Sequence, residues 1–278
     1  MYSRIYVEIT NICNMNCSFC HGHSREPRMM SREEFTHILD QLETQTRYIY
    51  YHVMGEPLRH PELPAFLKMT ADRGLKSVIT TNGTLLAKRG REILDAGVHK
   101  VNISIHSFEG CDDEAYEKYL SMVADFADAA TEADTVVVLR LWNNGCDNGQ
   151  NDTALSYLRS RLDGEWADNT KGIRIRSKLH LEWGERFEWP DINAPVQGED
   201  FFCYAMRQHF GILCDGSVVP CCMDSDGVIT LGNIFRQNIS DILASPRAEA
   251  VLYAFERRKA PEELCRRCGY AQRFVKKD

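Results

Sequence analysis

The first 180 residues change hydrophobic period again and again, and this constrains the chain more than any other feature. Short runs rich in Val, Ile and Tyr at 4–9, 48–53, 76–81, 100–105, 135–141 and 172–176 read as buried strands. Amphipathic segments with helix-end signals lie between them. Ser31 and Glu34 make a capping box ahead of Phe35, Ile38, Leu39 and Leu42, which share one helical face. Pro61 opens a second helix that Gly74 closes, and a third covers 85–96 and stops at Gly97. Two more are expected over 112–132 and 151–162. Six strand–helix alternations imply a parallel sheet with right-handed crossovers. A closed eight-fold barrel takes about 250 residues. The length to position 180 therefore suits an α/β fold of smaller span, a partial (β/α)6 TIM-like barrel open on one side.

Beyond that point the pattern changes, and the chain divides into a barrel over 1–180, a bridging segment over 181–200 and a small α+β module over 201–278. The bridge holds Trp183, Phe187 and Trp189 among acidic residues and prolines, placed either to pack the join or to line a substrate entrance. In the module, runs at 210–214 and 217–222 flank Asp215-Gly216, a hairpin signal. A helix is expected over 241–259, ahead of Cys265 and Cys268.

Eleven cysteines must be accounted for. No run approaches the roughly 18 apolar residues of a membrane span, and the first ten residues lack a signal-peptide core. A cytoplasmic protein without membrane contact is expected, and disulfides are rare there. Clustered cysteines then point to metal. The net charge of −7 and the lack of a sustained basic run argue against a nucleic-acid partner. Cys13, Cys17 and Cys20 fall in the loop after the first strand, at the carboxyl end of the sheet, where such folds place their chemistry. Three thiolates can hold three irons of a [4Fe–4S] cube and leave the fourth iron open, as catalytic metal sites do. A structural zinc site is the alternative, although those usually pair two knuckles.

The C-x₃-C-x₂-C spacing, the aromatic Phe19 before the last Cys and the strand–helix barrel that follows resemble the radical SAM superfamily. The resemblance implies that S-adenosylmethionine (SAM) chelates the open iron of a [4Fe–4S] cluster. Reductive cleavage would then yield a 5′-deoxyadenosyl radical that takes a hydrogen atom from the substrate. Met54-Gly55-Glu56-Pro57 resembles the family's GGEP motif with Met in place of the first Gly, so the backbone near Met54 and Gly55 and the Glu56 carboxylate are implied contacts of the SAM amino group. Thr80-Thr81-Asn82-Gly83 and Ser104-Ile105-His106 resemble segments that approach SAM, which makes Thr81, Asn82 and Ser104 candidates. Helix capping by Asn82 or Ser107 is the alternative. Arg140 is a charge in an apolar strand, suited to fork a carboxylate or else to face outward. Phe19 is placed near the adenine or the cluster. His21, His23 and His106 read as loop histidines without an acid or base role.

Cys203, Gly216, Cys221, Cys265 and Cys268 follow the pattern C-x₁₂-G-x₄-C, a gap, then C-x₂-C, which resembles the twitch domain, a shortened relative of SPASM. The resemblance implies an auxiliary [4Fe–4S] cluster on the four cysteines, with a Cys₄ zinc site as the rival. Cys214 and Cys222 adjoin the set as possible substitutes, and Cys111 and Cys146 carry no partner signal. The architecture is similar to that of the twitch dehydrogenases of 2-deoxy-scyllo-inosamine. That likeness implies oxidation of a polar small molecule, sugar- or cyclitol-like, with the auxiliary cluster taking an electron and a flavodoxin or ferredoxin as donor. Peptide modification, and a non-catalytic Fe–S or zinc protein, are the other readings. Arg140, Arg174 and Arg176 are the strand residues expected to contact substrate.

Overall fold

In the computed structural model, which describes residues 1–147 and 149–274, the buried runs pair side by side into one sheet. Five parallel strands come first: β1 (Ile5–Val7), β2 (Tyr48–Tyr50), β3 (Lys76–Thr81), β4 (Lys100–Ser104) and β5 (Val136–Asn144). The helices α1 (Arg32–Leu42), α2 (Leu63–Asp72), α3 (Leu86–Asp95) and α4 (Asp113–Glu132) return the chain between them, and α5 (Gln150–Arg161) follows β5. Apolar residues on the two sides decide this layering. Ile5, Ile49, Ile79, Val101 and Leu139 are wholly buried, and Phe35 of α1 stacks on Phe66 of α2 with ring centroids 4.3 Å apart. The capping box forms as read, with the Ser31 side chain accepting from the Glu34 amide and the Glu34 side chain answering at the Ser31 amide. No helix among the described residues is long and apolar enough to cross a membrane.

Two strands differ from expectation. The sixth parallel strand is not 172–176. After β6 (Ala167–Asn169), β7 (Gly172–Arg176) runs antiparallel to both its neighbours, and it is β8 (Leu179–Glu185) that lies parallel to β5. The β6–β7–β8 meander closes that edge, so the bridging segment begins inside a strand. Arg174 and Arg176 are instead paired with Glu165 and Asp128. At the opposite edge β9 (Gly211–Ile212) pairs parallel with β1, and β10 (Ser217–Val219) and β11 (Gly232–Asn233) extend the same sheet. The Asp215-Gly216 hairpin is present, with Gly216 at φ +85° beneath the Phe235 ring. The long helix expected over 241–259 is instead α6 (Ile239–Leu243) and α7 (Pro246–Glu256). Ser245 caps the second and Pro246 starts it, because proline cannot continue the first. The short α8 (Glu263–Arg266) carries Cys265.

Candidate active site

The loop after β1 presents three thiols at the carboxyl end of the sheet. Thr10 and Asn11 are buried and pin its base: the Asn11 amide donates to the Glu26 carbonyl at 2.8 Å, and its oxygen accepts from the Arg28 amide at 2.7 Å. Amide hydrogens then point at sulfur. The Met15 amide lies 3.4 Å from Cys13 Sγ and the Asn82 side-chain amide 3.9 Å from it. Such donors help to set the potential of a cluster on those sulfurs. Burial, then the nearby Cys20 and Cys13 thiols, push the Cys17 thiol up to about 11, so holding it as a thiolate calls for a cationic group nearby. Glu109 fixes the middle of the loop by accepting from the Ser18 amide and, at 2.9 Å, from its hydroxyl.

Beside this loop the segment after β2 passes at close range. Gly55 has φ +75°, and a Cβ there would stand 2.4 Å from the Thr10 carbonyl oxygen, so only glycine fits. Among the described residues no donor reaches the carbonyl oxygens of Val53, Met54 or Gly55. These free acceptors suit an ammonium group, as the motif implies. Glu56 does not share that role, for its side chain turns inward and is fully buried. It accepts from the Leu58 amide at 2.9 Å and the Asn82 amide at 2.8 Å. Burial still drives its carboxyl up to about 7 against the pull of those donors.

The strand tips enclose a cavity of about 230 Å³ lined by Thr80, Ser104, Arg140, Phe19 and His52, with Trp142, Phe187 and Trp189 as its aromatic wall. Ser104, Arg140 and Phe19 therefore converge as expected. Thr81 does not. Alternation along β3 turns it away, where its hydroxyl accepts from the Gly83 amide at 3.0 Å, and Thr80 takes the cavity face instead. Asn82 does not cap α3, whose N-cap is Leu85; its oxygen accepts from the Thr84 amide at 3.0 Å in the preceding turn while its amide group approaches the cysteine loop. Arg140 lies over the Trp142 ring at 4.6 Å and 3.6 Å from Glu182, too far for a hydrogen bond, so its Nε is buried and unpaired. Burial and then Arg140 hold His52 down at about 3, which keeps it neutral. Phe187 and Trp189 line the cavity rather than only packing the join, and the Trp189 indole donates to the Phe19 carbonyl at 3.0 Å. A wider cleft of about 710 Å³, lined by Glu109, Asp113 and Asp147, shares Phe19, His106, Trp142 and Arg186 with the cavity.

The second cysteine set rings a space rather than a point. Cys203, Cys221, Cys265 and Cys268 line a cavity of about 80 Å³ under Phe201, Phe255 and Phe274. Among the described residues no three His, Cys, Asp or Glu side chains close on a single-ion position. Burial, then the neighbouring Cys222, Cys203, Cys268 and Cys265 thiols, push Cys221 far up, the electrostatics of ligands awaiting a cationic core. Cys214 does not line this cavity and lies instead against Arg25 at 3.7 Å. Cys222 also lines this cavity and faces the central one as well. Sequence reasoning missed Glu8, His52 and Tyr6. Of these only Glu8, a carboxylate inside an apolar run, gave a signal in the sequence.

Comparison with known proteins agrees with this geometry. Residues 7–143 match the radical SAM superfamily, and residues 203–269 match SPASM, an iron–sulfur cluster-binding domain. A probable GTP 3′,8-cyclase of Methanococcus maripaludis is 34% identical over 117 residues, 40% of this chain and 38% of that protein. An AdoMet-dependent heme synthase of Methanosarcina barkeri is 32% identical over 123 residues, 43% and 34% of the two lengths. The chain thus matches less than half the length of either relative. The crystal structure of BtrN in complex with AdoMet and 2-DOIA superposes over 96% of this chain and 93% of its own with a TM-score of 0.64 at 20% identity, a likeness of fold. One cysteine set thus lies in the radical SAM match and the other in the SPASM match, so the chain carries a radical SAM domain followed by an auxiliary iron–sulfur domain of the SPASM/twitch type.

Proposed function

We propose that this enzyme oxidises a polar small molecule at an unactivated C–H bond and passes one electron to the auxiliary cluster. One observation carries the reading. The central cavity and the auxiliary cavity share Tyr6, Cys222, Met223 and Tyr270, so a substrate in the first lies one layer of side chains from the second. Cys13, Cys17 and Cys20 would hold the SAM-binding cluster, and Cys203, Cys221, Cys265 and Cys268 the auxiliary one. Bound SAM and its cluster supply reductive sulfonium cleavage, which makes hydrogen-atom removal from such a bond accessible. The chain's own residues do the rest. Carbonyls from Val53 to Gly55 orient the SAM ammonium, Thr80 and Ser104 offer hydroxyls to polar substituents, and Arg140 brings a positive charge to the cavity wall. Trp142, Phe187 and Trp189 exclude water. BtrN, crystallised with 2-DOIA, supports a small polar ligand. The half-exposed cysteine loop suits an external donor such as flavodoxin or ferredoxin. In this reading the barrel, the bridge and the twitch module divide near 185 and 200.

Anaerobic reconstitution, iron counting and reaction with dithionite and SAM test the proposal. About eight irons and release of 5′-deoxyadenosine are expected, falling to about four irons, without cleavage, when Cys13, Cys17 and Cys20 are replaced. A polyol and aminocyclitol library should yield a product lacking two hydrogens. A redox-neutral product would overturn the oxidation. The wide cleft beside the cavity favours a second reading, peptide modification, and turnover of peptides alone would establish that instead.

A further inference from the structure

Glu8 is a carboxylate just past the end of β1, between the buried Val7 and Ile9, and its side chain is 0% exposed. An ion in that position is tolerated only if its oxygens are filled, and four donors fill them. Arg25, itself only 13% exposed, forks both oxygens at 2.7 and 2.8 Å. The Met54 amide donates to Oε2 at 3.0 Å and the Cys214 amide to Oε1 at 3.2 Å. These donors come from three separate parts of the chain. Arg25 is in the strap that follows the cysteine loop, Met54 is on the edge implied to take the SAM ammonium, and Cys214 is in the hairpin of the C-terminal module. The strap is bound to that module a second time, because Arg25 Nε donates to the Ser225 carbonyl at 2.7 Å and the Ser24 amide to Asp226 at 2.6 Å.

Peptide geometry turns this into a statement about the SAM edge. In a planar trans peptide the N–H and the preceding C=O point opposite ways. Fixing the Met54 N–H on Glu8 therefore aims the Val53 carbonyl away from Glu8, and Val53 lines the central cavity. The same carboxylate fixes the Cys214 amide, so the aim of that carbonyl depends on how the C-terminal module is seated.

We propose that Glu8 is a positioning residue that couples the seating of the auxiliary-cluster module to the SAM-binding edge. The inference rests on the reading that the edge after β2 binds SAM. Glu8→Gln keeps the volume but loses the charge and turns a donor toward groups that are all donors. Hydrogen–deuterium exchange on the unloaded protein is the first readout, with peptides over 53–55 and 213–215 expected to exchange faster together. The second is SAM affinity of the reconstituted protein, expected to weaken about ten- to hundredfold, the usual effect of removing a supporting partner, while iron stays at about eight. Arg25→Lys, which keeps the charge and loses the fork, should move both readouts the same way by less, and serves if Glu8→Gln does not fold. Faster exchange at only one segment, or at both with SAM affinity unchanged, overturns the coupling. A wild-type protein that binds no SAM overturns the functional reading instead, and the paired exchange result still decides whether the two segments are linked.

Discussion

Gly55→Ala is the sharpest single test of the site, because two separate penalties fall on one methyl group. The backbone there has φ +75°, which costs an L residue about 1–2 kcal/mol. The added Cβ would also stand 2.4 Å from the Thr10 carbonyl oxygen and 2.8 Å from the Asn11 carbonyl carbon, both backbone atoms that no rotamer change can clear. Overpacking of this kind costs about 1–3 kcal/mol. The sum is near 3 kcal/mol, or a melting temperature lower by roughly 6–12 °C. Gly74→Ala is the matched control, since its φ is +70° and nothing lies within 4 Å of the added atom. It should cost about 1 kcal/mol and leave the site alone. Relief of the clash must displace either the loop that carries Cys13 or the edge after β2 that is proposed to bind SAM. SAM affinity should therefore fall at least about tenfold, which is 1.4 kcal/mol. Auxiliary iron should be retained. Thermal melting, iron counting and equilibrium SAM binding on both variants read all three quantities. If Gly55→Ala matched Gly74→Ala in stability and bound SAM as the wild type does, the close approach of the two segments would be wrong.

Other consequences are simpler to state. His52 is held at about 3 by burial and then by Arg140, against an ordinary value of 6.5. The unfolded chain therefore binds the extra proton first, and stability is complete above about pH 6.5 and declines as pH falls toward 3. His52→Phe should flatten the loss between pH 7 and 5 in denaturant midpoints, and an unchanged slope would contradict the assignment. Phe35→Ala removes a stacked, fully buried ring and should cost about 3–5 kcal/mol without altering SAM affinity at equal folded fraction. Arg174→Ala breaks only an exposed pair with Glu165 and should change stability by less than about 1 kcal/mol, with SAM cleavage untouched. Loss of cleavage would restore Arg174 to the site.

What the sequence disclosed and what it withheld follow one physical distinction, the range over which a choice is made. The cysteine loop, the Ser31 capping box and the glycine turn at Gly216 are each settled within a few residues, and each stands where it was read. Strand phase is less forgiving. A shift of one position turns a side chain to the other face, and that single step separates Thr81, which turns inward, from Thr80, which lines the cavity. The sixth parallel strand was obscured for a related reason. Leu179–Glu185 alternates apolar and polar residues, the pattern of a half-exposed antiparallel strand, although its partner β5 lies parallel to it. Glu8 marks the limit of local reading. Its charge in an apolar run stands out, but its partners stand 17, 46 and 206 positions away, and nothing near residue 8 names them. A buried carboxylate with a conspicuous sequence position and invisible partners thus became intelligible only when the sheet brought β1, the SAM edge and the C-terminal hairpin side by side. Because β9 pairs with β1 in the same sheet, the two iron–sulfur domains are joined by backbone ladder as well as by that carboxylate.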